Sequence, residues 1–325
     1  MKPASLLEAR ALGTFRNRLL RWYDAHHRDL PWRNTHDAYP IWVSEIMLQQ
    51  TRVGAVLEHY RRFFDRFPSV DVLARARQPS VLAAWSGLGY YRRARNLHAA
   101  AKIVAFKYRG EFPKTAAGLR ELPGIGRYTA AAIASIAFRE PTAVVDGNVE
   151  RVLQRVTGNP TLADGEAWDL AKRLLTPQRP GDFNQAMMEL GSTVCLPREP
   201  KCLACPIVDF CATRGAHART RKEVRRTQDV SCALSFRNGS VRMVQRPRDA
   251  ARMAAMWELP EIVISNGAEP AARFKHSILD TDFTVAVYTT DVDAGKSGCW
   301  IPESRLRRLP LTGLARKILR HFQVL

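Results

Sequence analysis

Long apolar runs are missing from this sequence of 325 residues. No stretch of about 18 residues is apolar and uncharged throughout, so the sequence offers no candidate for a membrane-spanning helix. The first ten residues, Met1 to Arg10, also lack the apolar core that is typical of a signal peptide. We therefore expect a cytoplasmic protein.

Acidic residues are scarce relative to basic ones. The sequence has 31 Asp and Glu against 50 Lys and Arg, which gives a formal net charge of +19. Such a surplus is typical of proteins that bind a polyanion, either nucleic acid or an anionic membrane surface. The length exceeds that of one ordinary core, so two or three domains are expected.

Cysteine is rare as well, and four of the six cysteines lie in one short segment. Cys195, Cys202, Cys205 and Cys211 have the spacing C-x6-C-x2-C-x5-C. Disulfides are uncommon in the cytosol, so metal binding is the favoured interpretation. Zinc sites usually combine two close cysteine pairs with a longer gap, whereas one compact loop is typical of an iron–sulfur cluster. The alternative is four buried free cysteines.

The two remaining cysteines, Cys232 and Cys299, lie outside this spacing. We interpret both as ordinary small apolar residues.

The hydrophobic pattern changes once along the chain. From Leu6 to about Arg214 apolar residues recur at three- and four-residue steps, which predicts many short helices. After a basic segment the period becomes two, which predicts strands at residues 231–236, 241–246 and 283–289. A last amphipathic helix follows, with Thr312 as its cap.

These patterns predict a mostly α protein that ends in a small α+β domain. The helical region covers residues 1–213. A basic linker, residues 214–229, is either a solvated connector or a contact to a DNA backbone. The strand-containing domain covers residues 230–325.

A glycine-rich turn precedes an alanine-rich helix in the helical region. Leu122-Pro123-Gly124-Ile125-Gly126 can turn tightly and expose backbone N–H groups, because glycine tolerates positive φ. N–H groups at a helix N-terminus suit a phosphate oxygen. The sequence is that of a helix–hairpin–helix, and we expect Gly124 and Gly126 to bind DNA phosphate. An ordinary helix-to-helix turn is the alternative.

Two carboxylates are candidates for chemistry. Glu45 is a single acid among apolar residues, so burial is expected to raise its pKa and allow it to donate a proton near pH 7. Asp146 precedes an apolar helix, where it is either a helix cap or a catalytic carboxylate. One acid and one carboxylate are the pair that glycosidic bond cleavage requires. The alternative for Glu45 is an exposed acid on a helix face.

Together these motifs resemble the helix–hairpin–helix, Gly-Pro-Asp superfamily of DNA glycosylases that carry an iron–sulfur loop. The resemblance covers about residues 6–213. It implies a six-helix barrel module at about residues 33–138, and a cluster module formed by about residues 1–32 and 139–213 around a 4Fe–4S cluster.

Within the superfamily the chain resembles the adenine glycosylases more than endonuclease III. Tyr128 stands where endonuclease III has its Schiff-base lysine, so a monofunctional glycosylase that uses water is implied. The segments Leu30–Arg33 and Trp42–Thr51 also match the adenine glycosylase pattern. The implied substrate is double-stranded DNA in which adenine is mispaired with 8-oxoguanine or guanine. The implied protein is monomeric, bacterial in type, associated with the nucleoid and independent of membranes.

The resemblance implies roles for individual residues. Glu45 would protonate adenine at N7, and Asp146 would stabilise the sugar cation or a covalent intermediate. Tyr128 and Asn148 would hold that site. The positions implied to contact the flipped base and its surroundings are Arg33 and Glu189 in the adenine pocket, Gln50 and Tyr90 as wedges in the duplex, and Thr51 and Leu88 at the opposing 8-oxoguanine.

The C-terminal domain resembles the MutT-like domain of the same family, through Met256–Pro260 and Leu309–Gly313. The clustered glutamates of a Nudix box are missing, so no pyrophosphatase activity is expected. The family's loop that reads 8-oxoguanine ends in Phe-Ser/Thr-His, whereas this chain has His276 to Asp280 there. This departure weakens the implied contact of the domain with 8-oxoguanine.

Two other functions remain open from the sequence. One is an endonuclease III-like glycosylase and lyase for oxidised pyrimidines. The other is a DNA lesion binder without catalysis.

Overall fold

The computed structural model describes residues 9–217, 226–250, 253–264, 268–278, 281–289 and 298–325. Half of the predicted basic linker, residues 218–225, lies outside these residues, and so does Asp280, the last residue of the segment that departs from the family's 8-oxoguanine loop. Within them, no helix is at once long enough and apolar enough to cross a bilayer.

Helices make up the described chain as far as the cysteine segment, as predicted. They are α1 (Ala9–His26), α2 (Ala38–Leu48), α3 (Val53–Arg66), α4 (Val70–Arg75), α5 (Gln78–Trp85), α6 (Arg92–Phe106), α7 (Ala116–Arg120), α8 (Arg127–Phe138), α9 (Gly147–Thr157), α10 (Asp164–Leu174) and α11 (Pro180–Thr193). Short 3₁₀ turns lie at Pro31–Arg33, Cys202–Ala204 and Val208–Phe210.

The chain divides into two compact units that differ from simple sequence halves. One unit comprises Met1–Gln50 and Ala100–Thr220, and the other comprises Thr51–Ala99 and Arg221–Leu325. The domain boundaries inferred from the sequence stay a prediction.

In the first unit, α2 packs against α8, and α11 packs against α1, α8 and α9. Small residues permit close approach between these helices. A Cβ at Gly181 on α11 would lie 2.7 Å from the backbone oxygen of Ser135 on α8. Glycine is therefore required at that crossing, because overpacking a close contact forces the backbone apart.

The second unit contains α3, α4, α5, the first part of α6 and all the described strands. The strands are β1 (Arg226–Leu234), β2 (Phe236–Arg237), β3 (Ser240–Gln245), β4 (Trp257–Glu258), β5 (Ala272–Ile278), β6 (Thr281–Thr289) and β7 (Cys299–Pro302). One sheet has the order β1-β6-β5, with β1 and β6 parallel and β5 and β6 antiparallel. In the other, β3 pairs with β2, β4 and β7.

Two helices complete this unit, α12 (Glu303–Leu306) and α13 (Gly313–His321). Their apolar faces and those of both sheets form one core, which includes Cys232. Thr312 caps α13 by accepting a hydrogen bond from the Ala315 N–H, 3.2 Å. The three predicted strands, this cap and the mostly α fold with a small α+β domain are confirmed. The predicted strand 231–236 runs past the end of β1 into β2, and strands β4, β5 and β7 were not predicted. Cys232 is buried, as is usual for a small apolar residue, whereas Cys299 is exposed.

Candidate active site

Glu45 lies in α2, a helix that is buried over almost its whole length. The residue is 6% exposed, and its Oε2 atom accepts no hydrogen bond within the described residues. Burial raises the pKa of Glu45 to about 7, and the negative charge of Asp146 adds to the effect, whereas Tyr128 and Arg33 oppose it. Glu45 is therefore a protonatable acid near neutral pH and not an exposed helix residue.

Tyr128 lies in the first turn of α8 and brings its hydroxyl to Glu45. The hydroxyl lies within hydrogen-bonding reach of the Glu45 carboxyl and 3.3 Å from the Met188 Sδ. Burial, and then the charges of Glu45 and Asp146, raise the pKa of Tyr128 well above its ordinary value. The phenol is thus un-ionised at neutral pH and can donate a hydrogen bond.

Asp146 caps α9, and its carboxylate is held at both oxygens. Its Oδ1 accepts from the Val149 N–H at 2.7 Å and from the Asn148 N–H at 2.9 Å, and its Oδ2 accepts from the Asn148 Nδ2, 2.9 Å. The capping interpretation is therefore correct. It is also compatible with a catalytic role, because the capped carboxylate still acts electrostatically on Glu45.

Arg151 supports Asn148 from the next turn of α9. Its Nη2 donates to the Asn148 Oδ1 at 2.9 Å and to the Gly191 oxygen at 2.6 Å, and its Nε donates to the Cys195 oxygen at 2.9 Å. Arg151 was not predicted from the sequence. Its position three residues after Asn148, on the same helix face, was the available signal.

Glu189 lies between two arginines. Its Oε2 is 2.7 Å from the Arg33 Nη2 and 2.7 Å from the Arg28 Nη2, and its Oε1 accepts from the Arg28 Nε at 2.7 Å. The side chains of Glu189 and Arg33 are 0% and 9% exposed. Burial alone raises the pKa of Glu189, but the hydrogen bonds from Arg28 and Arg33 outweigh it and hold the pKa at about 2.

The predicted pair of Arg33 and Glu189 is thus an ion pair in the same unit as Glu45. Arg28, which completes it, was missed because a long basic side chain in a loop has no distinguishing pattern. A contact of Arg33 to a DNA phosphate would not fit a side chain that is buried and paired with Glu189.

The predicted wedge residues have strained backbones. Gln50 is exposed and has φ +56°, and Tyr90 is 44% exposed and has φ +48°. Positive φ is uncommon for residues other than glycine and persists where surrounding structure enforces it. Tyr90 is therefore not a core residue.

Arg93 contacts three residues of the second unit that were predicted to contact DNA. Its Nη2 lies 3.3 Å from the Thr51 Oγ1 and 3.2 Å from the Leu88 oxygen. Its guanidinium lies 5.2 Å from the centre of the Tyr90 ring. Thr51, Leu88 and Tyr90 are thus brought together around one cation. Arg93 was not predicted, because nothing in the sequence distinguishes it from the many other arginines of this chain.

The glycine-rich turn connects α7 to α8. Gly124 has φ +78°, which requires glycine, whereas Gly126 caps α8 with φ −85° and is extended. The expectation of positive φ is therefore confirmed for Gly124 and wrong for Gly126. A Cβ at Gly126 would meet nothing within 4 Å, so the fold itself does not require glycine there.

The four clustered cysteines lie in the loop that follows α11, and none is fully buried. Among the described residues, no three Cys, His, Asp or Glu side chains surround one metal-ion position. The four thiols nevertheless act on one another electrostatically. The Arg155 Nη1 donates to the Cys195 Sγ at 3.3 Å, and the Arg214 N–H donates to the Cys211 Sγ at 3.4 Å. Four thiols with N–H donors are a suitable donor set for a thiolate-held cluster.

Comparisons with known proteins identify the family of this fold. The model of the HhH-GPD superfamily of base excision DNA repair proteins matches residues 43–176. The solved structure of a thermostable thymine-DNA glycosylase is 30% identical and has a TM-score of 0.58, and the match covers 62% of this chain and 96% of that one. The chain belongs to the HhH-GPD superfamily. A trapped endonuclease III–DNA covalent intermediate, 21% identical with a TM-score of 0.55, shares the superfamily fold and covers 63% of this chain and 96% of its own.

This HhH-GPD protein is also similar to curated adenine DNA glycosylases. The mouse protein is 38% identical over 328 residues, which cover 82% of this chain and 63% of the mouse protein. The human protein is 49% identical over 214 residues, which cover 62% of this chain and 39% of the human protein. The chain therefore spans less than two thirds of the length of either relative.

Proposed function

We propose that this HhH-GPD protein is a monofunctional DNA glycosylase that removes adenine mispaired with 8-oxoguanine or guanine in base excision repair. The observation that carries the proposal is the buried Glu45 carboxyl, with a pKa of about 7, in electrostatic contact with the Asp146 carboxylate. Similarity to the adenine DNA glycosylases of mouse and human supports adenine as the base.

The reaction requires adenine to leave the base stack, since the glycosidic bond is inaccessible inside a duplex. Glu45 gives its proton to N7 of the flipped adenine, which makes the base a better leaving group. Asp146 faces the positive charge that develops on the sugar. Water then attacks the sugar, and Glu45 accepts the proton that the water releases.

One feature of the site excludes strand cleavage, and another selects adenine as the base. Tyr128 is a neutral phenol, so the site has no amine there to form the Schiff base that strand cleavage requires. The ion pair of Glu189 with Arg28 and Arg33 fixes the polar edge of a pocket for the flipped adenine.

The enzyme acts as a monomer on double-stranded DNA.

A panel of duplexes tests the proposal. We expect strand breaks after alkali treatment of A:8-oxoguanine and A:G duplexes, and none with a thymine-glycol duplex. Borohydride should trap no covalent adduct. Release of thymine glycol together with an adduct would instead support the endonuclease III-like lyase. Tight binding without base release would support the lesion binder.

The glycine-rich turn is proposed to bind a DNA phosphate through the N-terminus of α8. Because a Cβ fits at residue 126 within the protein, Gly126→Ala should fold with unchanged thermal stability. The added methyl should block phosphate approach and weaken binding to undamaged duplex by about tenfold, the loss expected for one charge-assisted hydrogen bond.

Fluorescence anisotropy and thermal melting measure these two effects. Gly165→Ala is the matched control, because a Cβ at that position on α10 also meets nothing within 4 Å. Equal DNA affinity in the two variants would remove the phosphate role of the turn.

Cys195, Cys202, Cys205 and Cys211 are proposed to hold a 4Fe–4S cluster. Bound there, the cluster would supply structural cross-linking of the loop that follows α11, and no step of base removal depends on it. Cys202→Ser should lower the iron content from about four atoms per chain and reduce thermal stability, because one of four thiolate ligands is lost.

Iron analysis of purified protein provides the readout. The control is Cys299→Ser, which changes an exposed cysteine of β7 outside the loop. Equal iron content in both variants and in the unmodified protein would contradict this ligand set.

A further inference from the structure

The turn Gly87–Tyr90, between α5 and α6, is flanked by two buried hydroxyl groups that reach the C-terminal domain within the second unit. The Ser86 Oγ and the Tyr91 hydroxyl each donate to the Leu311 backbone oxygen at 2.9 Å. Ser86 is 6% exposed and Tyr91 is 3% exposed. Two donors on one buried acceptor make a contact that is costly to leave incomplete.

Arg316 on α13 strengthens the same contact, since its Nε donates to the Ser86 Oγ at 2.9 Å. A further arginine of α6, Arg95, donates to the Ala254 backbone oxygen. We call the group of Ser86, Tyr91, Leu311 and Arg316 the latch.

The C-terminal side of the latch is held by further backbone hydrogen bonds. Thr312, the next residue after Leu311, donates its N–H to the Trp257 oxygen at 2.9 Å and caps α13 through its hydroxyl. Leu311 itself forms a β-bridge with Trp257. The acceptor oxygen is therefore held at the junction of a strand and a helix.

The turn that the latch holds has a strained backbone. Gly87, Gly89 and Tyr90 have φ values of +109°, +71° and +48°. The two glycines adopt positive φ readily, whereas at Tyr90 it persists only where the surrounding structure enforces it. Arg93 holds the turn through the Leu88 oxygen, and the latch fixes both of its ends, so the direction of the exposed Tyr90 depends on both contacts.

We propose that Ser86, Tyr91 and Arg316 are positioning residues through which the C-terminal domain holds the turn carrying Leu88 and Tyr90, and thereby sets the preference for 8-oxoguanine over guanine opposite adenine. This inference rests on the proposed function. The described part of the segment that departs from the family's 8-oxoguanine loop, His276–Ile278 of His276–Asp280, lies in the paired strand β5, where the Ser277 hydroxyl donates to Asp282. The C-terminal domain thus acts through the turn, and it need not touch the lesion itself.

The test is the double variant Ser86→Ala with Tyr91→Phe, which removes both donors to Leu311 and keeps the tyrosine ring. Single-turnover rates of adenine release are measured with A:8-oxoguanine and A:G duplexes. We expect the ratio of the two rates to fall by about fivefold to tenfold, the effect of losing one to two hydrogen bonds. The affinity for undamaged duplex should stay unchanged, because no residue of the latch is placed at the phosphates.

Tyr288→Phe is the matched control, since it removes a hydroxyl from β6 and none from the latch. The ratio in that variant should equal that of the unmodified protein. An unchanged ratio in the double variant would overturn the inference, as would an equal fall of both rates accompanied by a lower melting temperature. If the unmodified protein released no adenine from either duplex, the proposed function itself would be wrong.

Discussion

Glu45→Gln is expected to slow adenine release from an A:8-oxoguanine duplex by roughly a hundredfold to ten-thousandfold, the range for loss of a general acid. Glutamine has nearly the same shape but cannot transfer a proton. Single-turnover rates would measure the loss. Glu121→Gln, which changes an exposed carboxyl after α7, is the control and should leave the rate unchanged. A variant at residue 45 with the full rate would refute the proposed mechanism.

The same substitution should make the protein more stable at neutral and alkaline pH. The pKa of Glu45 is raised from 4.5 to about 7 in the folded protein, so folding favours its protonated form. The contribution of protonated Glu45 to the free energy of unfolding is complete below pH 4.5 and is lost as pH rises to about 7. The loss amounts to roughly 3 kcal/mol of stability. Melting temperatures of the two proteins should therefore diverge in favour of the variant between these pH values.

The rate of adenine release should also depend on the titration of Glu45. Because Glu45 must be protonated to act, adenine release by the unmodified enzyme should decline as pH rises through about 7. The residual rate of Glu45→Gln should lack this decline. A decline of equal steepness in both proteins would assign the titration to another group.

Glu189→Gln is expected to destabilise the protein by about 3–5 kcal/mol, the usual cost of removing one partner from a buried ion pair. The loss would leave the buried Arg33 without a counter-charge, and Arg28, which is partly exposed, would keep part of its solvation. Thermal or urea unfolding at pH 7 measures it. Asp24→Asn is the control, since its pair with Arg179 has the same 2.7 Å separation but is 49% exposed at the aspartate and should contribute about 0–1 kcal/mol.

Acid gives a second readout of this ion pair. The pKa of Glu189 is lowered from 4.5 to about 2, so its contribution to stability is present above pH 4.5 and is lost as pH falls towards 2. The difference in stability between the unmodified protein and Glu189→Gln should shrink over that range. A difference that is constant from pH 5 to pH 2 would show that the variant acts through packing and not through charge.

The sequence by itself determined the features that depend on neighbouring residues. Helical periodicity, the cap at Thr312, the cap at Asp146 and the spacing of the four cysteines all follow from chemistry within a few positions of the chain. Strands β1, β3 and β6 were predicted for the same reason. Strand β5 was not, because its polar residues, such as Lys275 and His276, become a strand only by pairing with β6.

Only the tertiary structure decided how these pieces meet. Glu45 and Asp146 are about a hundred positions apart, and whether they interact depends on the packing of α2, α8 and α9, which no local pattern encodes. The raised pKa of Glu45 likewise follows from burial, and burial is a property of the folded chain. The latch joins Tyr91 to the Leu311 oxygen across 220 positions of the chain. Which buried donor meets which acceptor depends on the surfaces that pack together and exclude water, and these surfaces exist only in the folded chain.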